Sequence, residues 1–440
     1  MNPIDNSLRS ALMAVLLALP AAAAPQEPPL AFTGARLIPI DGPELERGVL
    51  VVQGGKILAV GAEGSVQVPA GAEVRDCSGQ VLMPGLVDTH SHIGGGWAAD
   101  SSAPIQPHAS VYDAIDVRDT GFQRAQSGGL TTLNVMPGSG HLMSGQTVYL
   151  KLRDRGTIEE WVVRDAAGEP MGGMKMANGT NSQRDAPFPG TRGKSAALVR
   201  EVFLKAQAYQ RKLEAAKEDP EKAPERDLGM EALVEVLEGK RIVHHHTHRH
   251  DDILTVLRLR EEFGFRVVLH HVSEAWKVAD EIAAAGVPSS LILVDSPGGK
   301  LEAKDLLFVS GKALEDRGAS VAFHTDDWIT DSRLFLRMAA FGVRAGMSRE
   351  GALRALTIEG AKMMDLGDRV GSLAPGKDAD FILLDGDPFS VYTRVQETWI
   401  DGERVFDRSD EKDRLFADGG LGAGSPHAFI SCCHDGELTR

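Results

Sequence analysis

The chain has 440 residues, 42% of them hydrophobic and 25% charged, with a formal net charge of -15 at pH 7. This is the composition of an ordinary globular protein longer than one small domain, and its negative balance argues against nucleic acid or an anionic membrane as a partner. Charge alone leaves the fold undetermined.

The first predicted element is an export signal over residues 1–24. Arg9 precedes an apolar run, residues 11–19, followed by Pro20 and the alanines Ala21 to Ala24, which sets cleavage near Ala23 or Ala24 and predicts a periplasmic or secreted protein. The run is shorter than the ~20 residues needed to cross a bilayer, so no membrane span is expected after signal removal. Residues 25–83 then hold short β runs at 49–52 and 56–60, separated by the Gly54-Gly55 turn, and residues 368–408 hold more at 379–384 and 398–405. Neither flank has enough strands for a stable sheet alone, so the two are expected to combine in one small β-sandwich.

Between the flanks, strands alternate with helical stretches, the sign of a parallel sheet of βα units. Strands are predicted at 81–90, 130–136, 147–152 or 160–164, 173–177, 241–246, 266–271, 289–295 and 320–325. The first ends in Asp88-Thr89-His90-Ser91-His92. Strand side chains alternate between faces, so His90 and His92 project together, close enough to hold one metal ion, with Asp88 one layer deeper. Two solvated histidines on an edge strand are the plainer reading of that motif by itself.

The Gly-rich stretch 138–146 is read as an active-site loop, since no P-loop lysine follows its last glycine. Residues 191–239 form a helical insertion, one helix over 193–217, a break at Asp219-Pro220 and Pro224, and a second helix from Leu228. It either covers the mouth of the central domain or is merely solvated. Five histidines follow within 244–250, and alternation turns His244 and His246 inward and His245 outward. Arg249 is expected either to clamp a substrate carboxylate or to neutralise Asp251 or Asp252. Trp328 either walls a pocket or packs in the core, and Asp326 competes with Asp327 and Asp331 for a helix N-cap. Cys432 and Cys433 sit in a flexible tail, residues 409–440.

Taken in order, His90-Ser91-His92, Gly128-Gly129-Leu130-Thr131-Thr132, His246-Thr247-His248-Arg249, the 269–274 segment around His270-His271, His324-Thr325-Asp326-Asp327 and the 371–380 segment resemble the amidohydrolase superfamily. The resemblance runs from about residue 30 to about residue 408 and is closest to the imidazolonepropionase-like and Xaa-Pro dipeptidase-like groups. It implies an α/β fold, a (β/α)8 TIM-type barrel over 84–367 with one or two divalent metal ions, zinc first, at the carboxyl ends of its strands. The metal ligands it implies are His90, His92, Lys175, His246, His271 and Asp326. Lys175 would be carboxylated and bridge two ions; a lysine whose amine reaches solvent is the alternative, and His248 is the alternative to His246. Asp326 would double as the catalytic base and acid, and Arg249 and Trp328 would touch substrate.

The resemblance further implies hydrolysis of a C–N bond in an amide, cyclic amide or small peptide, by water that the metal activates as hydroxide. A catalytically silent binding or assembly protein of the same fold is the competing class. A dipeptidase is a narrower form of the hydrolase reading, and ring deamination is disfavoured because the fifth-strand segment lacks the glutamate typical of such deaminases. The partner expected is a small molecule, and homo-oligomerisation is left open.

Overall fold

Strands β1 (Leu30–Leu37), β2 (Leu45–Gln53), β3 (Lys56–Ala62), β4 (Glu73–Asp76) and β5 (Val81–Pro84) build the amino-terminal flank of a mixed α/β computed structural model that describes residues 28–95, 100–154, 156–293, 300–327 and 329–419. The export signal, Trp328, Cys432 and Cys433 lie outside the described residues. The centre contains β6 (Leu86–Ser91), β7 (Leu130–Val135), β8 (Met143–Gln146), β9 (Val148–Lys151), β10 (Met174–Ala177), β11 (Val243–Thr247), β12 (Val267–His271), β13 (Ser289–Leu291) and β14 (Val321–Phe323). The carboxyl-terminal flank adds β15 (Phe381–Leu384), β16 (Val395–Ile400) and β17 (Glu403–Asp407).

The two flanks share one eight-stranded sheet, ordered β17-β16-β15-β5-β1-β2-β3, with β4 also paired to β1. Its core mixes both ends of the chain: Phe32 meets Phe381 and Trp399 edge-on, at 4.8 and 5.1 Å between ring centroids, over Leu50 and Leu82. Burying apolar faces from strands some 350 residues apart is what makes either flank stable. Cys77 is buried in this core, which pushes its thiol up to about 11.

The predicted strand 81–90 divides at Gly85, with β5 in the flank sheet and β6 in the centre. A Cβ on Gly85 would lie 2.3 Å from the Thr131 side chain, so only glycine lets the chain change sheets there.

Six central strands run in the order β14-β13-β12-β11-β10-β8, and β6-β7-β9 form a three-stranded sheet. Pairing is parallel from β10 through β14 and between β6 and β7. The expected run of βα units is interrupted, because β8 is antiparallel to β10 and β9 antiparallel to β7. Met143–Gln146, expected as loop, is therefore strand, and 160–164 is not, since a short helix spans Ile158–Trp161. Antiparallel neighbours do not need the long crossover that a parallel pair requires. Along the far edge the two sheets meet at β6 and β14, where Asp326 donates its N–H to the His90 carbonyl at 2.9 Å and Ser91 bridges Asp327.

The insertion supplies the crossover between β10 and β11. Its helix Arg192–Glu218 buries Val199, Val202, Phe203, Ala206 and Tyr209, and Phe203 stacks on Phe263 and Phe265 at 5.1 and 5.2 Å. Phe265 precedes β12, so this part of the helix packs along the outside of the strands, while Arg192 at its start pairs with Asp252 and Glu302.

Flank and centre are pinned by a buried cation. Lys151 on β9 lies 2.8 Å from Asp378 and 3.0 Å from Asp380, and also pairs with Asp401.

Candidate metal centre

His90 and His92 come from the end of β6, Lys175 from β10, His246 from β11, His271 from β12 and Asp326 from the turn after β14, and all are buried or nearly so. His90 Nε2 lies 3.3 Å from His92 Nε2 and 3.4 Å from Asp326 Oδ1, and His92 Nε2 lies 3.0 Å from the same Oδ1. Two donors each ~2.05 Å from one zinc ion at a tetrahedral angle are ~3.3 Å apart. The triangle thus has the edges of one face of a coordination shell.

A second group adjoins it. Ring nitrogens of His246, His248 and His271 lie within 4.8 Å of one another, and His271 also groups with His90 and Asp326. His248, the alternative to His246 on parity, joins it instead of replacing it, because the chain leaves the strand at Thr247 and parity lapses there. Lys175 Nζ sits 3.0 Å from His90 Nε2 and is fully buried, so the alternative in which its amine reaches solvent is not what the structure shows.

The donor chemistry fits divalent metal. His92 Nδ1 donates to the Met136 carbonyl at 2.7 Å, which turns its Nε2 toward His90 and Asp326, and His248 Nδ1 meets Ser273 Oγ at 2.7 Å, which leaves its Nε2 to face the second group. His246 is held through Nε2 by the Asn181 amide at 3.1 Å. His246 Nδ1, His248 Nε2 and His271 Nε2 are buried with no hydrogen-bond partner. An unsatisfied buried polar atom costs ~1–3 kcal/mol, which a cation drawing on the lone pairs of His248 and His271 offsets; at His246, where the Asn181 amide donates to Nε2, Nδ1 carries the ring proton that an ion would displace. Imidazole with carboxylate suits zinc, and nickel, iron or manganese by donor type.

Burial drives the ring pKa values of His90, His246 and His271 well below the ordinary histidine value and that of His248 to about 3, so each presents a neutral, ligating imidazole. Burial also brings the Lys175 amine down to about 7, against the pull of Asp326. Burial pushes Asp326 upward, but its hydrogen bond to His92 and the neighbouring His324 and Lys175 outweigh this and hold it below the ordinary value.

Backbone geometry aims these groups. His271 and Asp326 have φ of 69° and 48°, and Val272 one of 38°, in the left-handed region that non-glycine residues avoid. Asp88, one layer below, accepts from the His90 N–H at 3.0 Å, the Thr325 N–H at 3.1 Å and the Thr325 hydroxyl at 2.5 Å, fastening β6 to the turn bearing Asp326. Burial raises its carboxyl to about 7 despite those bonds. Asp327 accepts from Ser332 and Asp331 from the Arg333 N–H, so they serve the local turns and Asp326 is left to face the histidines.

Arg249 takes the plainer of its two expected roles. It forms a two-point pair with Asp251, both bonds 2.9 Å, so its guanidinium fork is engaged at the head of the helix His250–Phe263. His244, inward by alternation, His270, the alternative to His271, and His324, to which the sequence reading assigns no role, lie buried beneath the donors. Their parity was readable: His324 stands two residues before Asp326, as His244 stands two before His246.

The profile described as "Amidohydrolase family" matches residues 81–405. The chain is similar to "Amidohydrolase tasK" of Hapsidospora irregularis, 28% identical over 82% of this chain, but it spans only 39% of that protein. It is 26% identical to a 5-methylthioadenosine/S-adenosylhomocysteine deaminase of Symbiobacterium thermophilum, over 81% of this chain and 85% of that one, and 21% identical to a Bacillus cytotoxicus imidazolonepropionase, over 84% and 91%. The crystal structure of an amidohydrolase from Thermotoga maritima superposes with a TM-score of 0.80 at 34% identity, covering 86% of this chain and all of that one.

Proposed function

This chain belongs to the amidohydrolase family and is a hydrolase of C–N bonds, and we propose that it is an exported, metal-dependent enzyme cleaving a small amide, cyclic amide or peptide. The observation that carries this reading is the His90, His92 and Asp326 triangle, with edges of 3.0 to 3.4 Å, beside the unpartnered nitrogens of His246, His248 and His271. These donors support a site for two ions, zinc first, with Lys175 bridging as a carbamate. A bridging group needs an anionic oxygen; a buried amine with pKa about 7 is largely neutral at slightly alkaline pH, the form that captures carbon dioxide.

A divalent ion held there lowers the pKa of water toward neutrality and polarises a carbonyl. Asp326, ionised and 14% exposed, takes the proton of the attacking water. The new C–O bond forms as the C–N bond breaks, and Asp326 returns that proton to the departing nitrogen, which leaves as an amine.

The central strands support a (β/α)8-type barrel closing between β6 and β14, and the shared flank sheet supports the composite sandwich of 25–83 and 368–408. Among the described residues no helix is long and apolar enough to cross a membrane.

The test is metal analysis of the purified protein beside a hydrolysis screen with dipeptides, N-acyl amino acids and cyclic amides. At least two equivalents of zinc with turnover of one class is the expected outcome. Full metal loading with no turnover of any class would leave the silent binding protein. Deamination of a ring amine is a second reading, favoured by the deaminase relative, and turnover of adenosine-type substrates alone would select it.

A further inference from the structure

Below the proposed catalytic donors lies a second tier of histidines for which the hydrolytic reading has no use. Ring nitrogens of His90, His270 and His324 lie within 4.8 Å of one another, and all three side chains are completely buried. The rings of His270 and His324 stand 5.0 and 4.9 Å from that of His90 and 5.3 Å from each other. They belong to β12, the turn after β14, and β6, so the cluster joins three strands far apart in sequence.

Two of the rings, His270 and His324, are oriented from outside as metal-bound imidazoles are. His270 Nε2 is 3.0 Å from His244 Nδ1, and His244 Nε2 is 3.0 Å from the Tyr149 hydroxyl. With His270 donating to His244 and His244 to Tyr149, His270 Nδ1 is a bare lone pair; it is buried and without a hydrogen-bond partner. His324 Nδ1 is 2.8 Å from Ser290 Oγ, itself 2.6 Å from Thr89 Oγ1, and its Nε2 is 3.2 Å from His271 Nδ1, a contact that an ion on Nε2 would replace. His90 uses Nε2 toward His92 and Asp326, while its Nδ1 is buried and unpartnered. Room for this tier is made at Gly173, where a Cβ would lie 2.4 Å from the His244 ring. Branched apolar residues usually fill the interior of a parallel-strand core, and unpartnered imidazoles there are costly unless something binds them.

We propose that His90, His270 and His324 form a further cation site, an all-imidazole pocket that takes zinc, copper or nickel and excludes the oxygen-seeking magnesium and calcium. Its ion ties β6, β12 and β14 together without reaching substrate. His90 then belongs to both tiers.

The experiment uses the full-length protein saturated with zinc and freed of loose ion. Anomalous scattering at the zinc edge is expected to show a peak among His90, His270 and His324, separate from density at His92 and Asp326. Metal analysis of His270→Leu is expected to give one equivalent fewer than the unaltered chain. No peak in the zinc-saturated unaltered protein, or an unchanged metal count in a folded His270→Leu, overturns the proposal. If His270→Leu does not fold, the scattering result alone decides. Neither readout depends on hydrolysis, so failure of the amide-cleaving reading is separately visible.

Discussion

The Asp88 carboxylate holds Thr325 twice, through its N–H at 3.1 Å and its hydroxyl at 2.5 Å, across 237 residues of chain. Thr325 precedes Asp326, and Asp88 also accepts the His90 N–H, so one buried carboxylate sets two of the donors. Asp88→Ala leaves those three donors unsatisfied and is expected to cost on the order of 3 kcal/mol of stability. Metal affinity should fall ~10- to 100-fold, as for other groups that orient ligands. Denaturant melts and competition with a chelator measure both, and unchanged zinc affinity would remove Asp88 from the positioning role.

Asp326→Asn keeps an oxygen near His92 but abolishes the base. Turnover is expected to drop ~100- to 10,000-fold with the far-ultraviolet spectrum unchanged. A variant that retains more than a tenth of the activity would mean that another group moves the proton.

Lys175→Ala is expected to lower bound zinc by one equivalent and to abolish turnover. Carbamate formation uses the neutral amine, and an amine of pKa about 7 becomes neutral as pH rises through 7. At matched dissolved carbon dioxide, reconstitution with zinc should therefore run ~10-fold faster at pH 8 than at pH 6. Equal rates, or full activity without carbon dioxide, would leave Lys175 as an unmodified amine.

Asp378 is buried, which pushes its carboxyl up, yet Lys151, Lys56 and Arg369 outweigh burial and bring it to about 2. A carboxyl depressed on folding stabilises the protein above its unfolded pKa near 4, and this is lost as pH falls through about 2. The contribution is on the order of 2 kcal/mol. Asp378→Asn should flatten the fall in stability between pH 4 and pH 2 while lowering stability at pH 7. An unchanged acid limb in thermal melts would show that Lys151 is satisfied by Asp380 and Asp401 alone.

The sequence by itself determined which residues share a strand face. Period-two alternation is local, so it correctly set His90 with His92, put His246 inward, and turned His245 outward toward the neighbouring helices. Glycine and proline positions likewise marked the break after Glu218 and the turn between β2 and β3. Only the tertiary structure decided what those faces meet. The register that sets Lys175 opposite His244, and His246 opposite His270, joins strands tens of residues apart. The same long-range packing buries the Lys175 amine, lets His248 join His246, and stacks His270 and His324 under His90. It also explains the antiparallel β8 and β9, which local pattern read as a loop and one more parallel strand. Alternation is written in each segment; pairing depends on the balance of apolar burial and hydrogen bonding over the whole chain, which no single segment contains.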